Sequence, residues 1–415
     1  MYFVRYITLY WLPVAILLLW QMAVASAQVE RQQGAEGQIV VAYWPAWANR
    51  SEADMRQLPA GAIHYLVFAF VQPVLDRESG LVSLKFLSEA DADTTRVGWT
   101  QVAQASGAKT MFSVGGWGLS ADFSELTIDP QLRSRLIDCI LREIREKGFD
   151  GVDLDWEFPV EGGAEGQPHR VEDRESLYQL VGELRMRMNQ MGKQTGKRYR
   201  LSVAVSGDLS AQEKRYRLAA MAPYVDWFNL MAYDFAGGWI PVTAHTAALF
   251  PRQDLALANR ALTVSESVAC MISLGVPANK IVLGVNLAGK RYDGVAFEGM
   301  QFVAKPYDSI HYQSEYEGEN NFYFLHKLLE PKAGEKHSLS FGLGWDSESQ
   351  ASYLYNPTER TYISIETPRS VTAKMQFARQ QQLLGTMLWS LDKDGEGFPI
   401  LRSVIGVWPP AEGKR

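Results

Sequence analysis

Eight short apolar runs, alternating with helical or turn-rich segments, constrain this chain more than any other feature. They fall at Ile39–Trp44, Ile63–Val71, Lys109–Val114, Phe149–Glu157, Arg200–Ser206, Asp226–Tyr233, Lys280–Leu287 and Leu384–Leu391. The helical segments between them are well punctuated. One runs from Pro130 to Lys147, with Asp129 as its cap, proline at the first helical position and Gly148 at its close. Its Leu132, Leu136, Ile137, Ile140 and Ile144 share one face at helical spacing. Others span Arg174–Met191, Val264–Leu274 and Pro368–Gln382, the last with Thr367 before a first-turn proline. Strand and helix in eightfold alternation predict an α/β fold, the (β/α)8 TIM barrel. A doubly wound open sheet is the competing architecture, but no Gly-x-Gly-x-x-Gly or phosphate loop follows any run.

One connection breaks the rhythm. The stretch from Leu287 to Leu384 is several times a usual crossover, and a structureless loop of that size is improbable. It alternates instead, at His311–Tyr316, Ser338–Gly342, Ser352–Tyr355 and Tyr362–Ile365. This predicts a small α+β insertion over 290–366, between the seventh strand and its helix, with a helix near Phe322–Leu329. The barrel then takes 39–289 and 367–408. Ahead of it, Arg5, a mostly apolar run and Ala25-Ser26-Ala27 have the layout of a signal peptide over 1–27, with a linker over 28–38. The expected mature protein is secreted or periplasmic, with no stable membrane association. The run is long for a signal core, so an uncleaved anchor is the alternative.

Charge narrows the partners. The net charge of −6, with no basic cluster, disfavours nucleic acid and suits a neutral substrate. Cys139 and Cys270 are the only cysteines, expected on different helices as free thiols. The six histidines are scattered without close metal spacing, so no metal and no cofactor are expected. The chain is read as a monomer.

The fourth run carries the chemistry. Read as a strand through Glu157, it lines Asp153, Asp155 and Glu157 along one side and Val152, Leu154 and Trp156 along the other, and Pro159 halts it. Charged groups are rarely buried unpaired, so such a column needs a reason. In a barrel the site lies at the C-terminal ends of strands, where Glu157 falls. Three neighbouring acids cannot all ionise comfortably; one is held protonated, as a general acid must be. Aromatic residues gather at the same ends: Tyr43, Trp44, Trp47, Phe70, Trp117, Trp239 and Trp389. Rings and acids together suit sugars. Glycoside hydrolysis ordinarily uses two carboxylates across the scissile bond, yet here the second acid shares a strand with the first. Asp234 is the one acid at another strand end. The pattern fits a substrate that supplies its own nucleophile, with Asp155 orienting it.

Asp150-Gly-Val-Asp153-Leu-Asp155-Trp-Glu157 resembles the Asp-Gly-x-Asp-x-Asp-x-Glu signature of family 18 glycoside hydrolases, the chitinases. Ser113-Val-Gly-Gly116-Trp117, Met231-Ala-Tyr-Asp234 and Leu384–Asp392 resemble its motifs on strands three, six and eight. Tyr307–Ile310, Trp345-Asp346 and Tyr353–Asn356 resemble its insertion domain. The resemblance implies Glu157 as acid and base, and Asp155 as holder of the N-acetyl group. It implies Asp153 as electrostatic support and Tyr233 as hydrogen-bond donor to the acetamido oxygen, with Asp234 touching substrate. Trp389 would floor the −1 subsite, and Tyr43, Phe70, Gly116, Trp117, Met231 and Trp239 would complete the binding groove. The implied partner is chitin or N-acetylglucosamine oligosaccharides. Ala288-Gly-Lys290 departs from the family's Tyr-Gly-Arg, and Glu366 stands where aspartate is common. An endo-β-N-acetylglucosaminidase on N-glycans and a non-hydrolytic chitinase-like lectin are the alternatives.

Overall fold

The structure, a computed structural model, describes residues 38–48, 50, 55–87, 99–253, 261–296, 304–311 and 341–409. The expected leader, the expected linker up to residue 37 and the expected helix near Phe322–Leu329 lie outside the described residues, as do most of the expected strands at His311–Tyr316 and Ser338–Gly342.

In chain order the barrel half comprises β1 (Ile39–Pro45), β2 (Tyr65–Asp76), β3 (Leu81–Phe86), α1 (Trp99–Ser106), β4 (Lys109–Gly115), α2 (Phe123–Ile128), α3 (Pro130–Lys147), β5 (Gly151–Asp155), α4 (Asp173–Thr195), β6 (Arg200–Ser206), α5 (Leu209–Arg215), α6 (Leu218–Met221), β7 (Trp227–Met231), α7 (Val264–Ser273) and β8 (Ile281–Asn286). Then come β9 (Lys290–Asp293), β10 (Ser309–His311), β11 (Gly342–Asp346), β12 (Ala351–Asn356), β13 (Thr361–Ile365), α8 (Pro368–Gln380), β14 (Gly385–Trp389) and α9 (Pro399–Val407).

Strands β1, β14, β8, β7, β6, β5, β4 and β2 pair in that order, and a parallel β1–β2 pairing closes the ring. The expected barrel is therefore present. Its lumen is filled by Val41, Tyr43, Val67, Met111, Trp227, Val282 and Met387, while Val40, Leu66, Val152, Leu154 and Leu283 point outward to the helices. That two-sided burial explains why the runs are nearly continuous in apolar residues.

The helices end where their sequence says. Asp129 accepts from the Gln131 and Leu132 amides, and Gly148 closes α3 at φ 74°, a left-handed position that costs glycine little. Leu136, Ile137, Ile140 and Ile144 are buried against the barrel, each side chain contributing about 1.5–3 kcal/mol on burial.

Two boundaries depart from the sequence reading. The fourth strand is shorter: β5 ends at Asp155, and Glu157 lies beyond it, where the chain turns away. The second strand is longer, because β3 returns against its far half as an antiparallel hairpin across Asp76–Gly80. The first insertion strand, β9, starts at Lys290, where the insertion is expected to begin, with three residues between it and the end of β8. Strands β10, β9, β13, β12 and β11 form a separate antiparallel sheet in that order.

The insertion sheet grips the long loop after β7. Thr243 and Lys305 exchange a backbone bond of 2.8 Å, Leu249 N donates to Ser349 O at 2.9 Å, and Thr246 N donates to Ser364 Oγ at 2.9 Å. Buried His245 lies between Asp346 Oδ2 (3.2 Å) and the Tyr362 hydroxyl (2.9 Å), and Arg252 Nη1 reaches the same Asp346 oxygen at 3.1 Å. Asp234 and Trp239 ride on this loop.

Candidate active site

The acids meet at the mouth of the barrel, and each has a different environment. Asp153 is fully buried in the lumen. Tyr43 Oη (2.8 Å) and Ser113 Oγ (2.7 Å) donate to one carboxylate oxygen, and Ser202 Oγ (2.7 Å) and Asn229 Nδ2 (3.1 Å) to the other. Burial pushes its carboxyl up, and these bonds pull it back by stabilising the charged form.

Asp155 is the opposite case. It is 5% exposed, and its buried Oδ1 atom has no hydrogen-bond partner among the described residues. Burial raises its carboxyl well above the usual range, and the charges of Glu157 and Asp153 raise it further. A buried acceptor without a donor is costly.

Glu157 is half-buried just past the strand end. Desolvation raises its carboxyl to about 7, with Asp234 adding to the rise, while the Trp117 backbone and Arg215 oppose it. It therefore holds its proton close to neutrality, as a general acid does. Its position is built by small residues. Glu157 N donates to Ser120 Oγ at 3.0 Å, and Gly116 N donates to Asp155 O at 2.7 Å. A Cβ on Gly115 would lie 2.2 Å from that same Asp155 oxygen, so the β4 and β5 ends approach only because Gly115 is glycine. A Cβ on Gly116 would press into the Phe70 ring at 2.8 Å.

The rings the sequence singled out do gather here. Trp389 lies 5.4 Å from Phe70 at 30°, 5.7 Å from Tyr43 and 6.5 Å from Trp47. Met231 and Tyr233 pack beside the same lumen cluster. Trp117 meets Phe158 edge-on at 6.4 Å. Trp47, Trp117 and Trp239 are 46%, 61% and 65% exposed, too open to be core packing. Trp44, by contrast, is buried in the outer layer and takes no part. Tyr233 is governed by burial and then by the charges of Asp155 and Glu157, which keep its hydroxyl protonated. Asp234 sits at φ 58° beyond β7, half-exposed, with its Oδ1 atom 3.0 Å from Lys290 Nζ.

Several participants were not assigned from the sequence. Ser202 and Asn229 complete the shell of Asp153; their one sequence signal was a short polar residue inside an apolar strand. Arg215, 4.4 Å over the Phe158 ring, and the buried Lys393, 5.4 Å over Trp389, gave none. Lys290 was visible only as a replacement.

Three acids in graded environments beneath a collar of rings agree with the comparison to known sequences, in which the description "Glycosyl hydrolases family 18" matches residues 39–394. The chain belongs to that family. Among family relatives, chitinase A1 of Niallia circulans is 33% identical over 290 residues, which cover 69% of this chain and 40% of that protein. Chitotriosidase-1 of Mus musculus is 28% identical over 306 residues, covering 71% of this chain and 62% of that one. The chain thus spans less than two thirds of the length of these relatives. Among solved structures, a group IV chitinase of Ostrinia furnacalis in complex with allosamidin has a TM-score of 0.74 at 27% identity, covering 89% of this chain and 98% of that one. Asp153 and Asp155 lie on β5 and Glu157 just after it, and β9 of the insertion sheet follows β8.

Proposed function

We propose that this glycosyl hydrolase is a chitinase, cleaving β-1,4 bonds between N-acetylglucosamine units with retention of configuration. The observation that carries the reading is the contrast between Asp153, saturated by four donors, and Asp155, whose buried Oδ1 atom has none. An acetamido N–H on the −1 sugar supplies the missing donor.

The steps follow from the groups present. Glu157 gives its proton to the glycosidic oxygen as the bond from that oxygen to C1 breaks. The acetamido carbonyl oxygen forms the new bond to C1, giving an oxazolinium ion on the sugar itself, so no protein nucleophile is needed. Asp155 accepts the N–H and faces the positive charge that develops there, with Asp153 behind it. Tyr233 holds the acetamido oxygen, and Trp389 supports the ring. Glu157, now a carboxylate, takes a proton from water as the water attacks C1 and the bond from C1 to the acetamido oxygen breaks, which restores the acetamide and releases the product as the β-anomer. The leaving sugar lies beyond Glu157, along Asp234 and Trp239.

Hydrolysis of chitotetraose by the purified protein tests this directly. Glu157→Gln should lower kcat by about 10²–10⁴-fold, the range of a lost general acid. Native protein that binds the oligomer tightly without releasing product would revive a lectin, and preference for a high-mannose glycopeptide would point to an endo-β-N-acetylglucosaminidase. We also propose export through residues 1–27: the N-terminus of protein collected outside the cytoplasm should be Gln28.

A further inference from the structure

Two buried lysines lie under the cleft, each against the ring of a cleft tryptophan. Lys290, 8% exposed, places Nζ 5.6 Å from the Trp239 ring, and Lys393, 3% exposed, places its own 5.4 Å from Trp389. Both act on Asp234. Lys290 Nζ is 3.0 Å from Oδ1 and also donates to the Ala236 carbonyl at 2.9 Å. Lys393 acts on it through space. Asn286 Nδ2 approaches the other oxygen at 3.4 Å. Asp392, beside Lys393, accepts from Ser390 Oγ at 2.5 Å and is the nearer charge to the ammonium, with Asp234 second. The negative charge of Asp234 is thus balanced by Lys290, while about half of its side chain stays exposed to solvent.

Resting on the chitin reading, we propose that Lys290, with Lys393 behind it, makes the Asp234–Trp239 wall a filter against deacetylated sugars. A glucosamine ring on Trp239 brings an ammonium against this wall, where the carboxylate at hand is Asp234. Asp234 is already paired with Lys290, and the lysine charges oppose a third cation. N-acetylglucosamine brings no charge and stacks on the tryptophan unhindered. The filter is distinct from the need for an acetamido group at −1, because it acts on the sugar across the scissile bond.

Partially acetylated chitosan, digested at about pH 6 where the sugar amine is protonated, supplies the test. The new non-reducing ends of the products report the sugar that lay on Trp239. Corrected for composition, they should favour N-acetylglucosamine by about tenfold, the size of a modest electrostatic discrimination. Lys290→Gln frees Asp234 to receive the ammonium and should bring the two sugars within about twofold, while Lys290→Arg keeps the bias. A gain in acceptance cannot come from misfolding. Equal acceptance of both sugars by the native protein overturns the filter, as does an unchanged bias in Lys290→Gln that still cuts fully acetylated oligomers. Native protein that leaves fully acetylated oligomers intact sinks the chitin reading, and the filter with it.

Discussion

Glu157 and Asp234 share one electrostatic problem, and the pH profile should show it. With the Glu157 carboxyl at about 7 and its acid form required, kcat/KM should fall about tenfold per pH unit above that value. The Asp234 charge is part of what holds the proton on, so Asp234→Asn should move this alkaline limb to lower pH. An unmoved limb would remove Asp234 from the account. Asp153 invites a second test. Ser202→Ala deletes one of its four donors and leaves a buried carboxylate under-satisfied, which should cost about 1–3 kcal/mol in denaturant unfolding. The acids themselves were legible, because their spacing alone places them together. Their supports were not. Ser202 and Asn229 are on different strands and meet Asp153 only when the barrel closes, a relation that no local spacing encodes.

At the level of elements, the joint between the β7 loop and the insertion sheet matters most, since it fixes Asp234 and Trp239. Its polar centre is Asp346. Hydrogen bonding to His245 and the Ser349 amide, with the charges of His245 and Arg252, holds this carboxyl well below the usual range despite burial. A depressed carboxyl stabilises the fold above its unfolded value of about 4, and that stabilisation is lost as pH falls toward the folded value. Hydrogen-exchange protection over 236–250 and 342–365, corrected for the intrinsic exchange rate, should therefore fall from about pH 5 downward ahead of the barrel strands. Asp346→Asn should remove that difference, and a uniform fall would contradict it. Helix ends such as Asp129, Pro130 and Gly148 could be read because capping is local. The end of β5 could not. Alternation runs through Glu157, whereas the strand stops where Gly115 and Gly116 bring the β4 and β5 ends together, a tertiary event. The β3 hairpin had a signal in Asp76–Gly80, obscured by Pro73 within the run.

For the molecule as a whole, packing and not covalent bridging holds the chain. Cys139 and Cys270 are both free thiols. Cys139 is buried on α3, and Cys270 is half-buried on α7. Thermal unfolding should show the same midpoint with and without a reducing agent, and a drop on reduction would reveal a bridge. Closure of eight parallel strands was legible in the repeating runs, and the insertion in the length of one crossover, because both are patterns of the entire chain. The account stands or falls on the reaction it ascribes to that assembly: one carboxyl as acid and base, with the sugar's own acetamide as nucleophile. Proton NMR of products at early times from a chitin hexamer reads the stereochemistry before mutarotation. The account predicts the β-anomer first, and predominantly α product would contradict it.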